Sequence, residues 1–225
     1  MRLITARLEC GGKMPDFEFE NKHSGLVVGI DEAGRGPWAG PVVAGAVVFL
    51  KKNIDEYLLE NLNDSKKLSE KKREILFEKI MQAKEKGDLL VGIGEASAKE
   101  IDCVNILQAT FLAMNRAVDG LGKQPDFAIV DGNQKPKGLV CESETVVKGD
   151  ARSYSIAAAS VVAKVYRDRL MKDLAKKYPF YAFEKNAGYG TKAHIDGLNK
   201  YGVAEGVHRV SYKPVLAILE RKTAA

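Results

Sequence analysis

The chain has 225 residues, a hydrophobic fraction of 45% and a net charge of +5, which indicates a globular protein of one domain, or one and a half, and fits an anionic partner such as nucleic acid. Its three cysteines and three histidines, with no C-x-x-C spacing, argue against a zinc site and for reduced thiols. Because the longest apolar run, residues 42–50, is too short for a membrane span and residues 1–13 contain no apolar signal segment, we expect a cytoplasmic protein without membrane association.

Short runs rich in apolar and β-branched residues predict five strands. These runs lie at residues 26–30, 42–50, 89–93, 127–130 and 145–147. A turn over residues 38–41, containing Gly40 and Pro41, separates the first two runs, so we expect these two strands to pair as antiparallel neighbours.

Helical patterns lie between and after the predicted strands. Ser69 is expected to cap the N-terminus of one helix, and Ser97 forms a capping box with Glu100 at the start of another. Further helices are predicted over residues 155–178, 191–201 and 213–221. The chain therefore reads as a mixed α/β domain with a central sheet, followed by a mostly helical C-terminal part.

Two adjacent carboxylates, Asp31 and Glu32, follow the first apolar run. Carboxylates on a rigid strand end are suitable oxygen ligands for Mg²⁺ or Mn²⁺. Because successive strand side chains point to opposite faces, both can serve one site only if the strand bends or ends there, which Gly34 and Gly36 permit. The guanidinium of Arg35, between these glycines, is placed to meet a phosphate, so the segment suggests metal-assisted chemistry on a phosphodiester.

Asp131 and Asp150 occupy similar positions beside a glycine, Asp131 directly after an apolar strand-like run and Asp150 separated by two residues from the next one. With Asp31 and Glu32 they would be able to hold two divalent ions about 3.5–4 Å apart, one to activate water and the other to stabilise the leaving oxygen. An aspartate after a strand is, however, also a common turn former or helix N-cap. The spacing alone does not show that these carboxylates converge, and both interpretations stay open at this point.

Seven sequence motifs, in a fixed order along the chain, are more specific than the spacing of the carboxylates. They read GIDEAGRGPWAGP over 29–41, NDSKKL over 63–68, VDG over 130–132, KGD over 148–150, AASVVAK over 158–164, GYGTKAH over 188–194 and HRVSYKP over 208–214. In this order, and from about residue 25 to residue 215, they resemble the motifs of the type 2 ribonucleases H, the ribonuclease HII family. The Gly-Arg-Gly turn favours type 2 over the related type 3 enzymes.

The resemblance implies a ribonuclease H-like α/β fold, with a mixed five-stranded sheet flanked by helices and a helical C-terminal region. It implies hydrolysis of the RNA strand of RNA/DNA hybrids with Mg²⁺ or Mn²⁺, two ions being bound together with substrate. It also implies nicking of duplex DNA on the 5′ side of an embedded ribonucleotide, leaving 3′-hydroxyl and 5′-phosphate ends. Such an enzyme would act in RNA primer removal and ribonucleotide excision repair.

The same resemblance assigns roles to particular residues. The family's catalytic and metal-binding carboxylates correspond to Asp31, Glu32, Asp131 and Asp150. The family's substrate-binding residues correspond to Gly34, Arg35, Gly36, Lys66 and Tyr189. Lys148 and Lys164 are added as expected substrate-binding residues because basic side chains can follow the duplex phosphates. Among the residues that match the family, Tyr189 would stack on the sugar that follows the ribonucleotide and so sense the RNA–DNA junction.

Three segments are expected along the chain. Residues 1–24, which match the family poorly, are interpreted as a flexible lead, residues 25–178 as the catalytic domain, and residues 179–225 as a helical region packed on it. We expect a monomer without a sliding-clamp peptide.

Other side chains are given simpler interpretations. Ser160 is assigned to helix-to-sheet packing, and Arg167 with Asp168 to a structural ion pair. His208 and Arg209 fit packing and function equally well.

Two other functions remain alternatives. A junction nuclease or transposase of the same broad fold would also carry strand-end carboxylates, but it would leave the Gly-Arg-Gly turn and Tyr189 unexplained. A nucleic-acid-binding protein without catalysis has no need of clustered carboxylates, which repel phosphate. Symmetric cutting of a junction, or tight metal-independent binding without cleavage, would favour these alternatives.

Overall fold

The computed structural model describes residues 14–223, and its centre is a five-stranded mixed sheet with the strand order β3-β2-β1-β4-β5. The strands are β1 (Val27–Ala33), β2 (Val42–Phe49), β3 (Leu89–Ala96), β4 (Phe127–Asp131) and β5 (Glu142–Val146). All five predicted strands are present, and β1 and β2 are antiparallel as expected. The expected α/β architecture with a mixed five-stranded sheet is confirmed.

Strand β1 lies at the centre of the sheet, where the strand direction changes from antiparallel to parallel. It pairs antiparallel with β2 and parallel with β4. In the parallel pair Ile30 lies opposite Val130. The next residues, Asp31 and Asp131, are therefore brought to the same edge of the sheet.

Seven α-helices surround this sheet in the described part of the chain. They are α1 (Glu56–Asn61), α2 (Glu70–Glu85), α3 (Ala98–Asp119), α4 (Tyr154–Lys177), α5 (Phe183–Asn186), α6 (Lys192–Tyr201) and α7 (Lys213–Thr223). The Ser69 cap and the capping box of Ser97 with Glu100 are both present. The short helices α1 and α5 were not predicted. Within residues 14–223, no helix has the length and apolarity needed to span a membrane.

The two faces of the sheet carry separate cores. Helix α3 packs on one face against alternate side chains such as Val28 and Ile30 of β1. Helices α2 and α4 cover the other face, where small residues such as Ala159 allow α4 to lie close to the strands. A third core joins the C-terminal helices to the end of α4, through residues that include Met171 and Phe183.

The described part of the predicted lead, residues 14–24, packs on the domain. Glu20–Lys22 form a 3₁₀ turn, and the Glu20 side chain is buried. Oε1 of Glu20 accepts hydrogen bonds from the Ser153 hydroxyl and from the hydroxyl and amide of Ser155, at 2.6–2.9 Å. A polar anchor therefore joins Glu20 to the start of α4, and the division of the chain into three segments stays a prediction. Residues 1–13 lie outside the described part.

Candidate active site

Three of the four predicted carboxylates meet at the edge of the sheet. Asp31 belongs to β1, Asp131 ends β4, and Asp150 lies in the 3₁₀ turn Gly149–Ala151 that leads into α4. Each offers a carboxylate oxygen, and these oxygens all lie within 4.8 Å of one another. The parallel pairing of β1 and β4 accounts for the first two positions, and the chain between β5 and α4 supplies the third.

Main-chain amides orient two of these carboxylates. The Gly149 amide donates to Oδ1 of Asp131 at 2.6 Å, and the Glu32 amide donates to Oδ1 of Asp31 at 2.7 Å. The chain can turn towards Asp131 because Lys148 adopts a left-handed conformation with φ 56°. The ligand oxygens are therefore held by backbone contacts and do not depend on long, mobile side chains.

The electrostatics of the carboxylate cluster favour a bound cation. Burial raises the pKa of Asp31 well above its usual value, and the charges of Glu32 and Asp131 raise it further. Burial, followed by the charge of Asp131, raises the pKa of Asp150 to about 6. Crowded carboxylates of this kind are stabilised by a divalent ion with a preference for oxygen ligands. The residues therefore fit Mg²⁺ or Mn²⁺.

Glu32 is not part of the three-aspartate group. The strand continues to Ala33 and does not end at the carboxylates. Burial raises the pKa of Glu32, although the nearby Arg35 lowers it and the Asp131 charge raises it again. Its Oε1 lies 3.5 Å from a guanidinium nitrogen of Arg35. Glu32 thus stands between the aspartate group and the Gly-Arg-Gly turn.

A cavity of about 390 Å³ adjoins this turn. It is lined by Glu32, Ala33, Gly34, Arg35, Gly36, Ser65, Lys66, Arg73, Lys164, Arg167 and Tyr189. Six of the seven predicted substrate-binding residues are in that lining. The seventh, Lys148, is exposed and lies outside it.

The cationic side chains of the cavity have different environments. Partial burial disfavours the charged form of Lys66, but the Asp31 and Asp64 carboxylates outweigh it and raise the Lys66 pKa above its usual value. Lys164 donates to Oδ1 of Asp168 at 2.7 Å. Lys66 therefore remains charged beside the carboxylates, whereas the charge of Lys164 is already paired.

Tyr189 closes the cavity opposite the Gly-Arg-Gly turn. Its side chain is 51% exposed, and its ring lies so close to Gly36 that a Cβ there would be 3.3 Å from Cε1. A flat ring is thus presented to solvent directly above the turn.

Comparison with known proteins identifies this arrangement. A family model described as ribonuclease HII matches residues 28–215. The chain belongs to the ribonuclease HII family. It is 52% identical to the ribonuclease HII of Wolbachia sp. subsp. Brugia malayi (strain TRS), over 92% of this chain and 97% of the relative. It is 53% identical to that of Jannaschia sp. (strain CCS1), over 91% of this chain and 98% of the relative.

Solved structures agree with the ribonuclease HII assignment. The ribonuclease H2 of Pyrococcus horikoshii OT3 has a TM-score of 0.71 and 29% identity, covering 89% of this chain and all of that one. A PCNA:RNase HII complex from Archaeoglobus fulgidus has a TM-score of 0.66 and 25% identity, covering 81% of this chain and 93% of that one. As a ribonuclease HII family member, the chain is a ribonuclease H, an endonuclease that acts on RNA/DNA hybrids, and this family depends on divalent metal ions.

Two polar residues beside the carboxylates of this ribonuclease HII site were missed by the sequence analysis. The Ser160 hydroxyl is hydrogen-bonded to Asp31, which lowers the pKa of that carboxyl, and it lies 2.8 Å from the Ser65 hydroxyl. The charge of Asp64 helps to raise the pKa of the Asp150 carboxyl, after burial and the charge of Asp131. The interpretation of Ser160 as packing alone is therefore wrong. Both Ser160 and Asp64 lie inside the family motifs, which was the available signal.

Two buried arginines lie against the Gly-Arg-Gly turn of the ribonuclease HII site, and the Arg167 side chain packs directly on Gly34. Arg167 donates to the carbonyls of Pro41, Ala39 and Ala187. The expected Arg167–Asp168 ion pair is wrong, since the Asp168 carboxylate pairs with Lys164 and Arg73.

Arg209 is the second of these arginines. It donates to the carbonyls of Gly34, Arg35 and Gly40 at 2.6–3.0 Å. Because it is itself buried, its guanidinium fixes the backbone of the turn and leaves the Arg35 side chain free to face the cavity.

Proposed function

We propose that this chain cleaves the RNA strand of RNA/DNA hybrids and also nicks duplex DNA on the 5′ side of an embedded ribonucleotide, leaving 3′-hydroxyl and 5′-phosphate ends. The observation that carries this proposal is the position of the three-aspartate group next to a cavity bounded by Arg35, Gly36 and Tyr189. The three-aspartate group suits metal-assisted hydrolysis. The adjoining cavity suits the recognition of a single sugar.

The catalytic residues in this proposal are Asp31, Glu32, Asp131 and Asp150, which would hold Mg²⁺ or Mn²⁺, with two ions present when substrate is bound. A bound divalent ion supplies Lewis acidity and lowers the pKa of a coordinated water. The chain itself holds the ligand oxygens in place through the amides of Gly149 and Glu32. It also keeps a charged Lys66 next to the carboxylates, where it would contact a substrate phosphate.

Substrate selection would depend on the Gly-Arg-Gly turn and Tyr189. Gly34 and Gly36 let the backbone approach the scissile phosphate, and Arg35 would bind that phosphate and the 2′-hydroxyl. The Tyr189 ring would pack on the next sugar, where an additional hydroxyl would crowd it. Lys164 and the exposed Lys148 would contact phosphates farther along the duplex.

The cellular setting follows from this activity. We propose a cytoplasmic monomer that acts in RNA primer removal and in ribonucleotide excision repair. The clamp in the Archaeoglobus fulgidus complex belongs to that protein, and no clamp partner is proposed for this chain.

An end-labelled DNA duplex with one ribonucleotide tests the proposal. The duplex is incubated with the protein and Mg²⁺ or Mn²⁺, beside an all-DNA duplex of the same sequence and a long RNA/DNA hybrid. A single nick 5′ to the ribonucleotide, with the all-DNA duplex intact, is expected. Cleavage of the hybrid without that nick would contradict the proposed junction recognition and leave the hybrid activity standing.

A further inference from the structure

Two histidines that the proposed mechanism does not use are buried behind Tyr189. His194 is 0% exposed and His208 is 1% exposed, and their Nε2 atoms are 3.0 Å apart. The other ring nitrogen of His194 lies 3.0 Å from the carbonyl oxygen of Tyr189. A direct path of hydrogen bonds thus connects the His208 ring to the main chain of Tyr189.

The partners at both ends of this path determine where the protons lie. The Tyr189 carbonyl can only accept, so Nδ1 of His194 carries a proton and its Nε2 is an acceptor. The Nε2 of His208 must then donate to it, which leaves Nδ1 of His208 as an acceptor. This agrees with the Ala204 amide, which donates to that Nδ1 at 2.9 Å. The Ala204 carbonyl lies farther from Nδ1, at 3.3 Å, and accepts from the His208 amide at 3.1 Å. The two rings are therefore in opposite neutral tautomers.

The surroundings of the pair keep both rings neutral. The rings of Trp38, Tyr181 and Phe183 lie around them. Burial lowers the pKa of His194. Burial and then the charge of His194 lower the pKa of His208 to about 4. A proton added to His194 would place its Nε2–H against the Nε2–H of His208 and break the path, and a proton added to His208 would place its Nδ1–H against the Ala204 amide.

The Tyr189 main chain, to which His194 is hydrogen-bonded, also sets the distance between the Tyr189 ring and Gly36. The Tyr189 amide donates to the Asn186 carbonyl at 2.9 Å, and the Tyr189 carbonyl accepts from the Thr191 amide at 2.8 Å as well as from His194. The ring then extends over Gly36. A change of a few tenths of an ångström at this peptide would be transmitted to the gap between the ring and the turn.

We propose that His194 and His208 are positioning residues, whose hydrogen-bonded pair in opposite tautomers fixes Tyr189 over Gly36 and thereby sets the discrimination between a single ribonucleotide and a continuous RNA strand. This inference rests on the proposed role of Tyr189 in reading the junction. It goes further because it assigns the position of the Tyr189 ring to two residues that do not face the cavity.

Nitrogen-15 NMR of the histidine rings tests the pair without any substitution or substrate. At neutral pH the wild-type protein is expected to show His194 protonated at Nδ1 and His208 protonated at Nε2. The same tautomer on both rings, or a charged ring, would overturn the proposal.

Kinetics test the connection to Tyr189. His194→Phe keeps a ring but removes both hydrogen bonds, whereas His194→Asn keeps a donor close to the position of Nδ1. The readout is the ratio of kcat/KM for a single-ribonucleotide duplex to kcat/KM for a long hybrid. Loss of the hydrogen bond is expected to lower this ratio about three- to tenfold in His194→Phe, with His194→Asn within about twofold of wild type. Equal loss on both substrates would reduce the pair to a structural role and contradict the proposal.

The Tyr189→Ala variant separates the two possible failures. If Tyr189→Ala leaves the ratio unchanged, the proposed function of Tyr189 fails. If it lowers the ratio but His194→Phe does not, only the positioning inference fails. If both hold, the double variant is expected to match Tyr189→Ala alone, because the effect of His194 acts through Tyr189. Additive losses would contradict that route.

Discussion

The main-chain amide of Gly149 donates a 2.6 Å hydrogen bond to the carboxylate of Asp131, 18 residues earlier in the chain. This bond joins the end of β4 to the turn that carries Asp150. Two of the three clustered carboxylates are therefore positioned by one contact, and the absence of a side chain at residue 149 makes that contact possible. A Cβ at Gly149 would lie 2.5 Å from Cδ1 of the buried Ile156, 3.2 Å from Cβ of Val146 and 3.3 Å from Oδ1 of Asp131.

Gly149→Ala is expected to weaken metal binding while the chain still folds. The added methyl group would clash with Ile156 and displace the Asp150 turn relative to Asp131. Changes to the residues behind metal ligands typically cost about 10–100-fold in metal affinity or activity. The measurement is the Mg²⁺ dependence of cleavage of a long hybrid. Gly120→Ala, at the end of α3 with ordinary van der Waals neighbours at 3.4 Å, is the control. An unchanged Mg²⁺ dependence would show that the Gly149 contact does not position the site.

Lys66→Ala is expected to weaken substrate binding more than Lys148→Ala. Lys66 lines the cavity and Lys148 does not. Loss of one phosphate contact should raise KM for the hybrid and lower the slope of log affinity against log salt concentration by about 1. Lys67→Ala, an exposed neighbour, is the matched control. Equal effects from all three substitutions would indicate diffuse charge attraction and no specific contact.

His208 is expected to make stability depend on pH. Its folded-state pKa of about 4 is below the usual 6.5, so the unfolded chain takes up a proton first as pH falls. The stabilising contribution is complete above pH 6.5 and decreases by about 2 kcal/mol at pH 5, according to proton linkage. Urea unfolding of wild type and His208→Gln at pH 7.5 and pH 5 measures the difference, which should shrink at pH 5. A difference that does not change with pH would contradict a neutral buried His208.

Glu20→Ala is expected to destabilise the fold by about 2–3 kcal/mol, because it leaves the hydroxyls of Ser153 and Ser155 without their charged acceptor. Urea unfolding provides the measurement. Glu18→Ala removes an exposed ion pair with Lys22 and should cost less than about 0.5 kcal/mol. If the two variants are equally stable, the Glu20 contacts do not hold the N-terminal segment.

The sequence predicted those parts of the fold and of the site that depend on a local pattern of residues. Asp31 and Asp131 were identifiable because apolar strand residues lead directly to them, and Ser97 with Glu100 because a capping box occupies four consecutive positions. Contacts between distant polar residues have no such pattern. Glu20 meets Ser155 across 135 positions, and Arg209 reaches Gly34 across 175. Their burial follows from the tertiary fold alone. The sequence therefore places Glu20 in a flexible N-terminal lead and does not decide between packing and function for Arg209.

Binding of Mn²⁺ to wild type and to Asp131→Asn, measured by electron paramagnetic resonance on the same samples used for hybrid cleavage, tests the central claim most directly. Asp119→Asn, an exposed carboxylate at the end of α3, is the control. We expect Asp131→Asn to lose at least about tenfold in Mn²⁺ affinity and nearly all cleavage, while hybrid binding is retained and the control is unaffected. Unchanged Mn²⁺ affinity in Asp131→Asn would contradict the assignment of the clustered aspartates as the metal site.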